Sequence, residues 1–407
     1  MQGSTLDLSE ALTRILAAAA RVSGQERVPL LEAQSRIPVR AITAPIDLPP
    51  FASSAMDGYA LPEAPAPSGA TFTIVGESLA GHPYTGSMRG TECIRITTGA
   101  AVPQSAVTVV IQENCERDGA RLTLRQTAPP GANIREVGHD VRAGDPVCPG
   151  GRPLSSFDIG WLAACGITEI DVHLRPRVAI FSTGDELTPP GETLTSGRIY
   201  DANRFATMAL LSRLPVRVTD LGILPDDPGT IEQALATAGE SHDLILTSGG
   251  VSVGDADYVR DIVERLGRID LWRLNLKPGK PLAFGALGKA LFLGLPGNPV
   301  SAIVTCLLVA KPLLLKLAGA EPVSPSQHRA LLAEPIEHSP GREEFQRGVL
   351  RTDQQQTWVH VSGDQSSNRL ATFSGADCLI RIPKSAGNLP QGTEVEVLPF
   401  YGLTDVF

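Results

Sequence analysis

The sequence predicts a multidomain α/β protein built around a central three-layer α/β domain with a mostly parallel sheet. At 407 residues the chain exceeds one ordinary core, because domains average roughly 150 residues. After Arg175-Pro176, strand-like and helix-like apolar patterns alternate, as in parallel sheets covered by helices. The flanking segments instead show period-two alternation and glycine turns, which indicate small β-domains.

We predict four domains, whose boundaries lie where the pattern of apolar residues changes. They are a discontinuous N-terminal helical and linker domain (1–50 and 141–175), an inserted β-domain (51–140), the α/β domain (176–320) and a C-terminal β-barrel-like domain (325–407).

The N-terminus predicts an amphipathic helix over residues 4–23, because Asp7 or Ser9 can cap it and Glu10 interrupts its apolar run. These charges argue against an export signal. Val28 to Ile42 predicts a short helix leading into a strand.

Strand patterns dominate Thr71 to Leu124, which predicts a small barrel or sandwich. Ahead of it lies a proline-rich loop that ends near Asp57-Gly58, for which a plain hairpin turn is the alternative to a functional role. Thr98 offers a hydroxyl before a glycine, and Asp140 lies in a charged loop that follows the strands.

Composition excludes several classes of function. A net charge of −9 argues against nucleic acid and anionic membrane partners, and the low aromatic content argues against stacking on single strands. The six cysteines form no CxxC or Cys/His cluster, which favours reduced thiols in a cytoplasmic protein. We expect no apolar run near the roughly 20 residues that span a membrane.

The stretch Leu244 to Asp257 predicts a strand, a glycine loop and a helix start. Gly249, Gly250 and Gly254 would let the backbone approach a ligand, and the helix start offers N–H groups to an anion. Since Asp257 would repel that anion, the pattern indicates a phosphate-bearing ligand together with a divalent metal. The alternative is a tight turn with an acidic first helical turn.

Polar motifs follow several predicted strands of the central domain, and in such sheets ligands lie at the carboxyl ends of the strands. These motifs are Ser182-Thr183-Gly184-Asp185-Glu186, Pro225-Asp226-Asp227, Thr247-Ser248-Gly249-Gly250, Lys277-Pro278-Gly279-Lys280-Pro281 and Pro296-Gly297-Asn298-Pro299. Their convergence on one rim predicts the binding site better than any single motif does.

Carboxylates from separate loops, Glu186, Asp226 and Asp257, are the hard oxygen ligands that Mg²⁺ takes. Lys277 and Lys280 supply compact charges for phosphate or another oxyanion, the alternative being solvated charges in a turn.

The C-terminal β-domain has two polar stretches of its own. One carries Arg342 and Arg347, and the other carries Ser366, Ser367 and Arg369. Hydroxyls and arginines together suit an oxyanion, although exposed strand ends often have the same composition.

The motifs SSAMDGYA, RITTGAAVP, STGDEL, TSGGVSVGDADYV, LNLKPGKPLAFG, GLPGNPVSA and SSNRLATFSGADCLIRIP resemble, in this order, the MoeA family of molybdopterin molybdenumtransferases and its gephyrin E-domain relatives. The resemblance runs from about Leu8 to the C-terminus. It implies an elongated homodimer, with an active site shared between the central domain of one subunit and the β-insertion of the other. The adenylyltransferase of the same pathway would be a further partner.

The resemblance also implies an activity, namely Mg²⁺-assisted insertion of molybdate into adenylylated molybdopterin with release of AMP. Asp57, Thr98 and Asp140 would line the cleft from the insertion side. On the other side would lie the remaining residues that match the family's motifs or flank them: Ser182, Thr183, Gly184, Glu186, Asp226, Ser248, Gly249, Gly250, Gly254, Asp257, Lys277, Lys280, Pro296, Pro299, Ser367 and Arg369.

Two departures from the family pattern stand out. Arg273 replaces a common lysine and keeps its charge, and His139 stands where an acid commonly precedes Asp140. Three other readings stay open: the adenylyltransferase itself, a non-catalytic cofactor-binding or scaffold relative, and tungstate insertion by the same chemistry.

Overall fold

A computed structural model of the protein describes residues 4–250, 258–321, 324–353 and 355–404. The chain forms two compact units. The first contains Met1–Val39, Gly150–Ser155 and Ile170–Phe407, and the second contains Arg40–Pro149 and Ser156–Glu169. Both units are therefore discontinuous in sequence, and the finer division into four segments stays a prediction.

A seven-stranded mixed sheet forms the centre of the first unit. Across the sheet its strands are Ser4–Leu6, Gly267–Leu274, Pro281–Leu287, Ala290–Leu295, Leu244–Ser248, Arg177–Thr183 and Arg217–Leu224. Four of the six pairings are parallel, and two are antiparallel because Gly267–Leu274, Pro281–Leu287 and Ala290–Leu295 form a meander. The prediction of a mostly parallel central sheet is confirmed.

Helices cover both faces of this sheet, because the buried strands send alternate side chains to opposite sides. Ile180 and Leu246 belong to one core cluster, whereas Phe181 and Ile245 belong to the other. The α-helices in the described part of this unit are Leu8–Ala18, Ala202–Leu211, Pro228–Ser241, Tyr258–Leu266, Pro299–Thr305, Lys311–Leu317 and the short Phe400–Thr404 at the end of the barrel. A π-helical turn at Cys306–Ala310 connects Pro299–Thr305 to Lys311–Leu317. The predicted three-layer arrangement is confirmed.

The N-terminal prediction needs correction at its start. Residues 4–23 are not one helix: Ser4–Leu6 is a strand that pairs in parallel with Trp272–Leu274, and the helix runs from Leu8 to Ala18. Edge pairing with the central sheet decides this, and no local pattern announces it. Residues 28–42 likewise hold the end of the strand Gln25–Pro29, a 3₁₀ turn and the start of the strand Ile42–Thr43.

Among the described residues, one helical run is long and apolar enough to cross a membrane. It spans Pro299–Leu317, with a mean hydropathy of 2.0, and 72% of that window is buried inside the protein. The expectation that no segment approaches this length was wrong by length and composition. Its burial against the central sheet is that of a core helix.

The second unit is built on a six-stranded sheet. Across it the strands are Thr108–Ile111, Gly58–Leu61, Glu92–Ile96, Thr71–Ser78, Arg121–Leu124 and Cys115–Asp118. Ser53–Ser54 pairs with Ile134–Arg135, and Ile42–Thr43 pairs with Pro146–Cys148. The helix Ser156–Ala164 is followed by Gly166, whose φ of +78° favours glycine at that position.

A closed five-stranded barrel forms the C-terminal part of the first unit. Its strands, in spatial order, are Glu343–Thr352, Thr357–Val361, His328–Leu332, Glu394–Pro399 and Cys378–Ile382, and the last pairs back with the first. The short strand Leu276–Lys277 adds to Glu343–Thr352 in parallel, with Lys277 opposite Glu344. The barrel-like prediction is confirmed, and this added strand connects the barrel to the loop between the central strands Gly267–Leu274 and Pro281–Leu287.

Candidate active site

A cleft of about 910 Å³ opens in the first unit, at the carboxyl ends of central strands. Four of the predicted loops contribute to it, and so does the barrel. Its lining includes Thr183, Glu186, Tyr200, Asn203, Ser248, Gly249, Gly250, Lys277, Lys280, Pro296, Asn298, Pro299, Ser301, Arg342, Gln365, Ser366, Ser367 and Asn368. The predicted convergence of the loops on one rim is therefore present for these four.

Below the cleft, hydroxyls at the ends of two parallel strands anchor the neighbouring loops. Ser182 is fully buried; its Oγ lies 3.1 Å from Asp201 Oδ1 and 3.3 Å from Ser248 Oγ. Thr183 Oγ1 donates to Asp226 Oδ1 at 2.5 Å. Ser182 is thus a support beneath the cleft, and Thr183 links the cleft wall to the acidic loop.

Glycines let two loops approach each other where the strands end. Gly249 and Gly250 have φ of +100° and +65°, a region that favours glycine. A Cβ on Gly250 would lie 2.8 Å from a methyl carbon of Thr183. A Cβ on Gly297 would lie 3.9 Å from the Cα of Gly249. Backbone groups therefore form much of this wall, open to a bulky anion.

Three cationic side chains lie on the lining of the cleft, although the chain as a whole carries a net charge of −9. Lys277 Nζ lies 3.0 Å from Glu344 Oε1 and stays half exposed. Lys280 and Arg342 are exposed and form no ion pair with any residue that the structure describes. Lys280 and Arg342, which have no ion-pair partner among the described residues, together with Lys277 make this rim attractive to oxyanions.

The barrel supplies a loop of hydroxyl and amide groups, Gln365 to Asn368, which Arg347 holds from behind. Arg347 is 0% exposed, and its guanidinium donates to the carbonyl oxygens of Asp364, Gln365 and Ser366. Burial lowers the pKa of Arg347 below its usual range. The sequence suggested that Arg347 belongs to a polar stretch suited to an oxyanion, whereas in the fold its side chain supports the loop Gln365 to Asn368.

The predicted acids separate in the structure. Glu186 lines the cleft, whereas Asp226 is exposed, bonds to Thr183 and is not part of the lining. Asp257 and Gly254 lie outside the described residues. Among the residues that are described, no group of three His, Cys, Asp or Glu side chains could hold a metal. A metal at Glu186 and Asp226 therefore stays a prediction.

Two further predicted residues are placed away from the lining. Arg369 pairs with Asp364 at 3.4 Å on the exposed side of the barrel loop, while its neighbour Ser367 lines the cleft. Gly184, with φ of +144°, forms the turn that leads to Glu186 and is not itself part of the lining.

The second unit holds the other predicted residues. Asp57 Oδ1 accepts hydrogen bonds from the backbone N–H of Thr98 at 2.7 Å and from its hydroxyl at 2.9 Å. These two bonds lower the pKa of Asp57 below its usual range. Asp140 is exposed in the following loop. Asp57 and Thr98 form a pair as a geometric fact, and their role stays a prediction.

Sequence reasoning missed Asn203, which lines the cleft at the start of the helix Ala202–Leu211. Its Nδ2 donates to Gly297 O at 2.7 Å and so fixes the glycine loop of the neighbouring strand. The capping aspartate Asp201, two residues earlier, is the local signal that marks this helix start, since its side chain accepts from Arg204 N. The contact with Gly297 is visible only in three dimensions.

Comparison with known proteins covers nearly the whole chain. Three regional family profiles match: MoeA N-terminal region (domain I and II) over residues 6–166, probable molybdopterin binding domain over 179–316, and MoeA C-terminal region (domain IV) over 329–400. A molybdopterin molybdenumtransferase from Haemophilus influenzae is 38% identical over 399 residues, which is 97% of this chain and 98% of that protein. The chain belongs to the MoeA family.

Further relatives agree with this placement in the MoeA family. A molybdopterin molybdenumtransferase from Nostoc is 33% identical and covers 92% of this chain and 88% of that protein. The crystal structure of a molybdopterin biosynthesis MoeA protein from Pyrococcus horikoshii shares 27% identity, with a TM-score of 0.82, over 97% of this chain and 100% of that one. At the level of the family, the predictions of the fold class, of an enzyme and of molybdenum cofactor biosynthesis are confirmed.

Proposed function

We propose that this chain inserts molybdate into adenylylated molybdopterin and releases AMP, as a cytoplasmic, Mg²⁺-dependent enzyme. The observation that carries the proposal is the cationic rim of the cleft, where Lys277, Lys280 and Arg342 face loops of glycine and serine. Such a rim suits two anionic groups at once, a phosphate and an oxyanion. The names of the curated relatives support the choice of molybdate.

The cationic side chains and the loops would divide the work of binding. Lys277 and Lys280 lie on one loop of the cleft lining, and their compact charges suit an oxyanion such as molybdate. Ser367 and Asn368 add neutral donors from the barrel side. Gly249, with positive φ, leaves room for a phosphate close to the backbone. Holding both reactants in one cleft lowers the entropic part of the barrier.

Glu186 and Asp226 are the described acids that would hold a magnesium ion in this proposal, because carboxylate oxygens are the ligand type that Mg²⁺ takes. Glu186 lines the cleft and Asp226 is exposed on the adjacent loop, and both present carboxylate oxygens. Mg²⁺ commonly takes only one or two protein carboxylates, with water and ligand phosphates as its other ligands, so a group of three acids is not required. A bound Mg²⁺ would neutralise the phosphates and make phosphorus more electrophilic. Thr183 would hold Asp226 in place for this role through its 2.5 Å hydrogen bond.

In this proposal the protein is a homodimer, and residues of the second unit contribute to the active site of the partner subunit. Asp57, Thr98 and Asp140 would complete the site from a partner subunit, and the adenylyltransferase of the pathway would deliver the nucleotide substrate. The short hydrogen bonds from Thr98 support a fixed, ionised Asp57, because they stabilise its charged form. A fixed carboxylate suits the orientation of a water or of the substrate.

The test is anaerobic conversion of adenylylated molybdopterin with Mg²⁺ and molybdate, following AMP release and active cofactor together. We expect both products and a dependence of both on molybdate, with tungstate as a parallel arm because its shape and charge are nearly the same. Asp57→Ala and Asp226→Ala should fold normally, since both side chains are exposed, yet lose insertion. Glu240→Ala, an exposed acid on the helix Pro228–Ser241, serves as the matched control and should keep full activity.

Two results would contradict this proposal. Nucleotide that binds but is never cleaved with any oxyanion would favour a cofactor-binding or scaffold role. Unchanged turnover in Asp226→Ala would remove that residue from the site. A preference for tungstate would keep the chemistry and change the metal that is delivered.

A further inference from the structure

A buried carboxylate lies behind the cationic rim of the cleft. Glu344 is 2% exposed and belongs to the barrel strand Glu343–Thr352. It is not part of the cleft lining, but its Oε1 lies 3.0 Å from Lys277 Nζ. The two residues face each other in the parallel pairing of this strand with Leu276–Lys277. The backbone register therefore places a buried acid directly under a cleft lysine.

The two oxygens of Glu344 have different surroundings. Oε1 contacts Lys277 and also accepts from Gln346 Nε2 at 2.9 Å. Oε2 accepts no hydrogen bond from the residues that the structure describes, and it lies 3.7 Å from Nε2 of the buried His338. Lys277 is the lysine that contacts this buried carboxylate directly, and a carboxylate away from water needs a cation or donors.

His338 lies between Glu344 and the backbone of Arg342, the residue that supplies another cation of the rim. Its Nε2 lies 3.1 Å from the carbonyl oxygen of Arg342, and its Nδ1 lies 2.9 Å from that of Ala386. The backbone at Arg342 is thus held beside the same carboxylate that holds Lys277. Glu344 therefore contacts Lys277 directly and lies near the backbone of Arg342 through His338.

Lysine has a flexible four-carbon chain and loses much rotamer freedom when it is held in one position. The ion pair with a buried, immobile carboxylate fixes the ammonium of Lys277 before any ligand arrives, so less entropy is lost on binding. The remaining exposure of Lys277, 48%, leaves part of the ammonium available to a ligand.

We propose that Glu344 is a positioning residue that fixes the ammonium of Lys277 for oxyanion binding, a role that rests on the function proposed above. Glu344 itself does not contact the oxyanion. Its effect passes through Lys277, with His338 holding the adjacent backbone.

The test measures molybdate binding by titration calorimetry on the complete protein without pterin, together with KM for molybdate and kcat. Glu344→Gln keeps the size of the side chain and removes its charge. We expect its molybdate dissociation constant and KM to rise about tenfold, as for the loss of a hydrogen bond between charged groups, with a much smaller change in kcat. The double variant with Lys277→Met should bind no more weakly than Lys277→Met alone, because the two residues act as one unit.

Glu343→Gln is the matched control. Glu343 is the preceding residue on the same strand and pairs with Arg381 at 2.6 Å, and alternation along the strand turns its side chain to the other face. This variant should leave molybdate binding unchanged. Should Glu344→Gln not fold, Gln346→Met removes the 2.9 Å hydrogen bond to Glu344 and keeps the charge, with an expected weakening of roughly threefold.

The outcomes of these measurements distinguish the positioning role of Glu344 from the proposed function. Unchanged or tighter molybdate binding in Glu344→Gln, or effects that multiply with those of Lys277→Met, would overturn the positioning role. Molybdate binding without turnover in the unaltered protein would refute the proposed function, and the binding comparison would still decide the role of Glu344. An unaltered protein that binds no molybdate would overturn both.

Discussion

Replacing Arg347 tests how the barrel presents its loop to the cleft. Arg347 is 0% exposed, and its guanidinium donates to Thr372 Oγ1 at 3.0 Å and to the carbonyl oxygens of Asp364 at 3.0 Å, Gln365 at 3.3 Å and Ser366 at 3.3 Å. It forms no ion pair with any described residue, so these four neutral acceptors are its hydrogen-bond partners, while the carboxylates of Asp364 and Glu344 act on its charge from a longer distance. A planar group with five donors suits this arrangement.

The structure predicts that Arg347→Lys is more destabilising than Arg347→Met. Methionine loses four hydrogen bonds worth about 1 kcal/mol each, but it removes a buried charge and can pack against Phe373, so we expect a net loss of about 2 kcal/mol. Lysine keeps the buried charge, has only three donors for four acceptors and is more strongly hydrated in the unfolded chain. We expect it to cost about 4 kcal/mol, a size typical of an uncompensated buried charge.

Hydrogen exchange measured on peptides that span residues 343–382 gives the local free energy of opening, and urea unfolding gives the global stability. Both variants should also weaken molybdate binding, since the loop that carries Ser367 loses its support. A lysine variant as stable as the unaltered protein, or a methionine variant less stable than the lysine variant, would refute the account of Arg347 as a hydrogen-bonded support.

Three further predictions concern the loops and the thiols. Gly250→Ala should lower stability by about 2 kcal/mol, because φ is +65° and the new methyl would lie 2.8 Å from two neighbouring side chains. Gly297→Ala, where φ is not positive, should keep the melting temperature of the unaltered protein, and equal melting temperatures of the two variants would contradict this prediction. The pKa of Asp57 is below its usual range, so the stability it contributes is present above its unfolded pKa and is lost as pH falls through its folded pKa; Thr98→Val should raise that pKa in a carboxyl NMR titration, and no change would exclude the hydroxyl as a cause. All six cysteines are buried, and burial raises the pKa of Cys306 to about 12. Native protein should therefore resist alkylation at pH 8, whereas protein unfolded in urea should expose six reactive thiols. Fast labelling of the native protein would disprove this prediction.

Local sequence patterns indicate the structure correctly where short-range chemistry decides it. Proline and an aspartate cap mark the start of the helix Pro228–Ser241, and Gly166 marks the end of the helix Ser156–Ala164. Patterns of apolar residues likewise predict the buried strand Leu244–Ser248. The failures lie where distant chain decides, as at Ser4–Leu6, which is a strand because it pairs with a strand some 270 residues later.

The sequence by itself determined the family, through the order of its motifs. It also determined the alternation of strands and helices in the central domain and the loops that follow the strands, because glycines, prolines and apolar periods act over a few residues. Only the tertiary structure decided which polar groups share the cleft and which support it. Lys277 and Glu344 meet because a two-residue strand joins the barrel, and Arg347 supports its loop because the barrel closes around it. Such contacts depend on register and closure between segments far apart in sequence, and no local pattern encodes them.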